Sequence, residues 1–195
     1  FLQHHHIDYL GVAFVDEGVE LRKKGITVPI VVMNPEQHSY ETVIEYNLEP
    51  EIYSFRVLEL FYEAVQKSGY DKKYPVHIKL ETGMHRLGFK EYELDQLSQT
   101  LDHKNLKVQS IFSHLSSSDI PEEKEFTLNQ LKTFEKNSAY LIEKLGYTPI
   151  RHILNSSGIT SYTDHQYDMV RIGIGMLGES QNSEIQKQLR SVVSF

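Results

Sequence analysis

The chain contains no cysteine, which removes disulfides, thiolate metal sites and cysteine nucleophiles together and weakly favours a reducing compartment. No run of eighteen apolar residues occurs, so no membrane-crossing helix is expected and no membrane partner with it. No leader of charged, then apolar, then small residues opens the chain, and the cytoplasm is the expected compartment. Positive charge is in deficit. Twenty Lys and Arg stand against 27 Asp and Glu, a formal net charge of -7, which is the wrong sign for a phosphate-backbone binder and argues against nucleic acid as a partner. No glycine-rich phosphate loop follows the first strand-like segment, and no low-complexity linker divides the chain.

What is present is ordinary soluble composition, 39% hydrophobic and 24% charged over 195 residues, enough for one domain with a sizeable core. Three adjacent histidines, His4 to His6, cannot all face one ion from a regular element, and no metal site is assigned to them. The pattern then alternates. A strand at 10–15 leads to Asp16, a good N-cap, and to an amphipathic helix closed by Gly25. PIVVMN, PEIYS, the strand from Val76, the strand at 106–113, IRHIL from Ile150 and DMVRI from Asp168 make six more strands. Helices fall between them: one around 40–46, FRVLELFYEAVQKS before Gly69, one near 91–101, and a long one at 124–145 before Gly146.

Seven strands alternating with helices imply a parallel sheet with right-handed crossovers. The fold expected is α/β, an incomplete TIM (β/α)8-type barrel without its strand 1, because candidate ligand groups recur at the ends of many strands and the phosphate loop of the open doubly wound class is missing.

The stretch VHIKLETGMHRLGF, Val76 to Phe89, concentrates chemistry. Val76, Ile78 and Leu80 alternate with His77, Lys79 and Glu81, and Arg86 follows in an apolar frame of Met84, Leu87 and Phe89. An arginine so placed suggests anion recognition; the competing reading is a surface ion pair with Glu81. Later strand ends offer His114, then His152, Asn155 and Ser156, then Arg171, Gly173 and Ile174. A hydroxyl from NSSG and amides from GIG would meet after the last two strands, where barrels commonly hold phosphate, and glycines at 173 and 175 let amides close on an oxyanion. The glycine pattern lacks the following helix that a dinucleotide fingerprint requires, and dinucleotide binding is rejected.

TGMHRLGF, FSHLSSSD, RHILNSSG and DMVRIGIGMLG, in this order, together with LGVAFVDEGVELRKKGI, resemble alanine racemase, a pyridoxal 5'-phosphate enzyme of the barrel type. The resemblance implies residues 1–180 as barrel strands 2 to 8 and 181–195 as a linker and the start of a truncated C-terminal β domain. It implies that Ser156 and the amides of Gly173 and Ile174 hold the cofactor phosphate, with Asn155 and His114 also on the cofactor side, and that Arg171 donates to the pyridine nitrogen. Arg86 would contact the phenolic oxygen and the substrate carboxylate. Lys79, carbamylated in many members, would fix Arg86, while His114 would orient a tyrosine of a partner subunit in a homodimer and His152 would support Arg171. Glu81 stands where the family has aspartate and Leu177 where it often has tyrosine. The Schiff-base lysine lies upstream of Phe1 in that family and the opposing tyrosine in the C-terminal domain. The chain as given is therefore expected to lack both catalytic bases and to be inactive, a piece of a cytoplasmic enzyme that interconverts L- and D-alanine for peptidoglycan.

Two rival readings remain. A metal-dependent barrel hydrolase would use a carbamylated Lys79 with His114, His152 and Asp168. A non-enzymatic pyridoxal phosphate carrier would share the barrel without the long C-terminal domain. Decarboxylases of the same barrel group fit the motifs poorly.

Overall fold

The computed structural model describes residues 1–102 and 104–192. After a 3-10 turn at Leu2–His5, with His4 and His5 in it, His6 after it and all three exposed, the elements follow one another as β1 (Leu10–Val12), α1 (Val15–Lys23), β2 (Ile30–Val32), α2 (Tyr40–Glu45), β3 (Glu49–Ile52), α3 (Phe55–Ser68) and β4 (Tyr74–Lys79). They continue with α4 (Leu94–Asp102), β5 (Leu106–Phe112), α5 (Lys124–Leu145), β6 (Ile150–His152), α6 (Ser156–Ser161) and α7 (Ser183–Gln186). The strands hydrogen-bond in the order β1-β2-β3-β4-β5-β6. Each resolved pairing is parallel, with Leu10 opposite Ile30, Val31 opposite Glu49, Ile52 opposite Ile78 and Phe112 opposite His152. The order never reverses, so there is no switch point of the doubly wound kind, and the connectivity is that of a (β/α) barrel.

Local chemistry explains most boundaries. Ser54 accepts from the Val57 amide at the start of α3, and Gly69, at φ 70°, ends it. Gly146 ends α5 in the same left-handed conformation. Two expectations need correction. Asp16 is not the N-cap of α1: the N-cap is Phe14, two residues earlier, and the Glu17 carboxylate reaches back to the amides of Ala13 (2.7 Å) and Phe14 (3.0 Å). The expected seventh strand at DMVRI is not a strand. Asp168 and Arg171 do donate to Arg151 and Leu154 of the β6 segment, each at 3.1 Å, but donors three residues apart cannot lie on one edge of a regular ladder, whose alternation is two.

The chain divides into two compact units. One comprises Phe1–Lys79 with Asp95–Gln109, the other Leu80–Leu94 with Ser110–Phe195. The first is centred on Ile30, Val32, Val43, Leu48, Ile52, Leu58, Phe61, Val76 and Ile78, all fully buried or nearly so. Tyr74 is buried among them with its hydroxyl 2.8 Å from the Leu48 carbonyl. Arg22 ties the α1 end together by donating to the carbonyls of Tyr46, Ile26, Val28 and Asn47. The second unit buries Leu80, Phe89, Ile111, Phe112, Leu115, Leu131, Phe134, Leu141, Ile153 and Leu154. Burial is uninterrupted from Val76 through Leu80, so β4 is covered on both faces, as parallel strands are.

Candidate functional site

The constellation forms within the second unit at the carboxyl ends of β5 and β6. Arg171 is its hub. The guanidinium donates to the Ser113 carbonyl at 2.7 Å and the Ile153 carbonyl at 3.1 Å, and reaches His152 Nδ1 at 2.6 Å and His114 Nδ1 at 3.3 Å. A guanidinium has only donors, so Nδ1 of His152 must accept, and its Nε2–H faces Ser110 Oγ at 3.0 Å. The His152 ring stacks on Phe112 at 4.8 Å and 4°, with Arg171 over the other ring, its Cζ 5.4 Å from the Phe112 centroid. The arginine is thus fixed in direction by five groups from two strand ends.

The second feature is the hydroxyl–amide cluster. Asn155 caps α6: its carbonyl oxygen accepts from the Gly158 amide at 3.0 Å and from Ser118 Oγ at 2.7 Å, and its amide donates to the Leu115 carbonyl at 3.2 Å. That lock sets the direction of Ser156. Ser156 Oγ accepts from the Gly173 amide at 2.9 Å and the Gly175 amide at 3.2 Å, which uses both of its lone pairs and leaves its own proton as a donor. A Cβ at Gly175 would lie 3.4 Å from Ser156 Oγ, so glycine keeps this approach open. Ile174 opens the following 3-10 turn (Ile174–Leu177) and is exposed; first-turn amides have no partner inside a helix.

The remaining sequence candidates are distributed as follows. Arg86 is exposed in the loop after β4, and its guanidinium makes no hydrogen bond or ion pair with another described residue. Glu81, its suggested partner, instead accepts from the Gly83 amide. The loop is shaped by Gly88, at φ 127°, where a Cβ would stand 2.6 Å from the Glu81 nitrogen, and by Leu80–Phe89 bridging. Lys79 belongs to the first unit, 5% exposed at the end of β4, with Nζ 2.9 Å from Glu51 of β3. Asp168 accepts from the Arg151 amide at 2.8 Å. Among the described residues no group of three or more His, Asp or Glu gathers to hold a metal ion, and both His114 and His152 direct Nδ1 at a cation, an arrangement unsuited to the hydrolase reading.

Several positioning groups escaped sequence reasoning. Ser113 donates to the Leu80 carbonyl and touches Thr82 Oγ1, each at 2.8 Å. Gln130, buried on α5, donates to the His114 carbonyl at 3.1 Å and accepts from the Ser116 amide at 3.0 Å. Glu51 is fully buried. The signal was available for Gln130, since a polar residue recurring on the buried stripe with Leu131, Phe134 and Leu141 has to find partners. For Ser110 and Ser113 no sequence signal separated them from strand filling.

The fold and these contacts agree with what the chain is similar to. The profile of the alanine racemase N-terminal domain matches residues 1–181. The alanine racemase of Thermodesulfovibrio yellowstonii is 39% identical over 172 residues, covering 88% of this chain and 45% of that protein. Alanine racemase 1 of Oceanobacillus iheyensis is 32% identical over 193 residues, covering 96% and 50%. Among solved structures, alanine racemase from Clostridium difficile 630 superposes with a TM-score of 0.87 at 28% identity over 97% of this chain and 50% of that one. The same enzyme complexed with cycloserine also gives 0.87, at 27% identity. The chain spans about half the length of the relatives it matches, and on these grounds it belongs to the alanine racemase family, as part of its N-terminal barrel domain.

Proposed function

We propose that this chain is the cofactor-holding part of an alanine racemase that interconverts L- and D-alanine with pyridoxal 5'-phosphate. The observation that carries the reading is the Ser156 hydroxyl, loaded by the Gly173 and Gly175 amides so that its proton is left for an oxyanion. The donor set fits a phosphate monoester: the Ser156 hydroxyl proton and the first amide of a 3-10 turn, with the Gly173 amide, here given to Ser156 Oγ, close enough to turn to the phosphate, and no carboxylate among them. Ser156, Gly173 and Ile174 would hold the phosphate, and Asn155 would position Ser156 through its cap.

Arg171 would face the pyridine nitrogen. Being always charged, it would keep that nitrogen unprotonated, and its anchoring by His152 keeps the guanidinium from turning away. His114 lies beside Arg171 on the side where a tyrosine from a second subunit would enter. Arg86, exposed and without an ion-pair partner among the described residues, suits the carboxylate of an amino-acid substrate. When bound, pyridoxal phosphate supplies an electron-withdrawing ring that acidifies the alpha proton.

Inversion requires a base on each face of the alpha carbon. The family resemblance places its lysine and tyrosine bases in parts of the protein other than these residues, so we assign both bases to the rest of the protein and no racemase activity to these 195 residues alone. In this reading the whole protein is a cytoplasmic homodimer supplying D-alanine for peptidoglycan.

The test is racemisation of L-alanine by the full-length protein and by this segment, with pyridoxal phosphate titrated into each. Turnover by the full-length protein alone supports the reading. Turnover by the segment alone refutes the assignment of the bases, and failure of the full-length protein to retain the cofactor refutes the whole.

A further inference from the structure

The exposed Arg86 sits on a loop whose root is fixed by a line of neutral hydrogen bonds within the second unit. Thr82, Ser113 and Gln130 are all buried, and counting protons gives each bond a direction. Ser113 Oγ donates its one proton to the Leu80 carbonyl at 2.8 Å, so in the 2.8 Å contact between the two hydroxyls Thr82 must be the donor. Thr82 Oγ1 is then left as an acceptor. Gln130 Nε2 faces it from 3.5 Å while donating to the His114 carbonyl at 3.1 Å, and Gln130 Oε1 accepts from the Ser116 amide at 3.0 Å. Each proton along the line has a destination, which is what makes a buried polar network rigid.

Gly83, the next residue of the loop, lies against the same helix. A Cβ there would stand 3.3 Å from the Phe126 ring and 3.4 Å from Gln130 Cγ, so α5 supports both the hydroxyl and the backbone on which the loop turns. The other end of the line reaches the cofactor side of the site, because the Ser113 carbonyl accepts from Arg171 at 2.7 Å.

We propose that Thr82 and Gln130 are positioning residues for substrate binding. They tie the Arg86 loop to the strand end that holds Arg171, and so fix the spacing between the group that takes the substrate carboxylate and the group that faces the cofactor ring. The inference rests on the racemase reading for the roles of Arg86 and Arg171; the tie between loop and strand end stands apart from it.

The test uses the full-length protein with Thr82→Val, which keeps the shape and deletes the hydroxyl, Thr82→Ser, which restores it, and Gln130→Met, which keeps the length and deletes the amide. A loosened loop weakens ground state and transition state alike. KM for L-alanine should therefore rise by about three- to tenfold in Thr82→Val and in Gln130→Met, with kcat and pyridoxal phosphate affinity within about twofold of native. Thr82→Ser should return KM to within about twofold of native. Simple destabilisation would instead lower the fraction of active enzyme, and with it the apparent kcat, and leave KM where it was. Amide hydrogen exchange supplies a readout that needs no turnover: residues 81–88 should exchange faster in both disruptive variants, while the Gly173 and Gly175 amides, held by Ser156, keep their native rates. An unchanged KM in either folded variant, a loss of cofactor affinity equal to the rise in KM, or loop exchange no faster than native overturns the proposal. Either disruptive variant decides alone should the other not fold. Absence of racemisation by the native protein would refute the racemase reading, and the exchange comparison would still decide the tie.

Discussion

Deleting the Ser156 hydroxyl is the sharpest residue-scale test. Ser156→Ala removes a hydrogen bond to a charged group, worth about 1.5–3 kcal/mol, so pyridoxal phosphate binding by the full-length protein should weaken by about ten- to a hundredfold in a fluorescence titration. Arg171→Lys keeps the charge but cannot satisfy the Ser113 and Ile153 carbonyls and two imidazoles together. It should cost about 2–4 kcal/mol of stability, read from the urea midpoint. Tyr9 makes a pH prediction. Burial first, and then the Glu49 carboxylate, push its hydroxyl up to about 12. The folded chain therefore keeps this proton longer than the unfolded one, whose tyrosines ionise near 10. The stability from this group is complete below pH about 10 and is lost as pH rises toward 12. Tyr9→Phe should flatten that alkaline decline in thermal melts. The meeting of Ser156, Arg171, Gly173 and His152 was legible in the sequence because each sits in a short motif in or just after a stretch that reads as a strand; Glu51 was not, because a carboxylate in PEIYS reads as solvated until β3 is seen to be buried.

Among the elements, glycines separate two kinds of turn. Gly88 follows β4 at φ 127°, with backbone atoms of Leu80 and Glu81 2.6 Å from where a Cβ would be. Gly146 ends α5 at φ 71° with nothing within 4 Å. Gly88→Ala should cost about 3 kcal/mol or more, since backbone cannot move aside, whereas Gly146→Ala should cost about 1 kcal/mol, the left-handed penalty alone; paired denaturation curves check both. Gln130→Ala would strip α5 of its bonds to the His114 carbonyl and Ser116 amide, with an expected loss of about 2 kcal/mol. Helix boundaries were readable where a cap or glycine marks them, as at Ser54, Gly69 and Gly146. DMVRI misled because its apolar–polar pattern suits a strand, while the positive φ of Tyr167 just before it and the three-residue donor spacing belong to tertiary context that no local pattern carries.

For the molecule as a whole, the alternation of strand and helix specified the connectivity, and the recurrence of reactive residues at strand ends selected a barrel over an open sheet. What the pattern could not supply was the pairing of charges between neighbouring strands, such as Glu51 with Lys79, since that depends on register and not on composition. The unbroken strand order has one more consequence. Leu10 meets Ile30 and Ser110 meets Ile150, and each strand from β2 to β6 lies beside the strand that precedes it in the chain. Such a chain can assemble by accretion as it leaves the ribosome, each new β-strand closing a short loop against a neighbour already in place, and the entropy of closure stays small at every step.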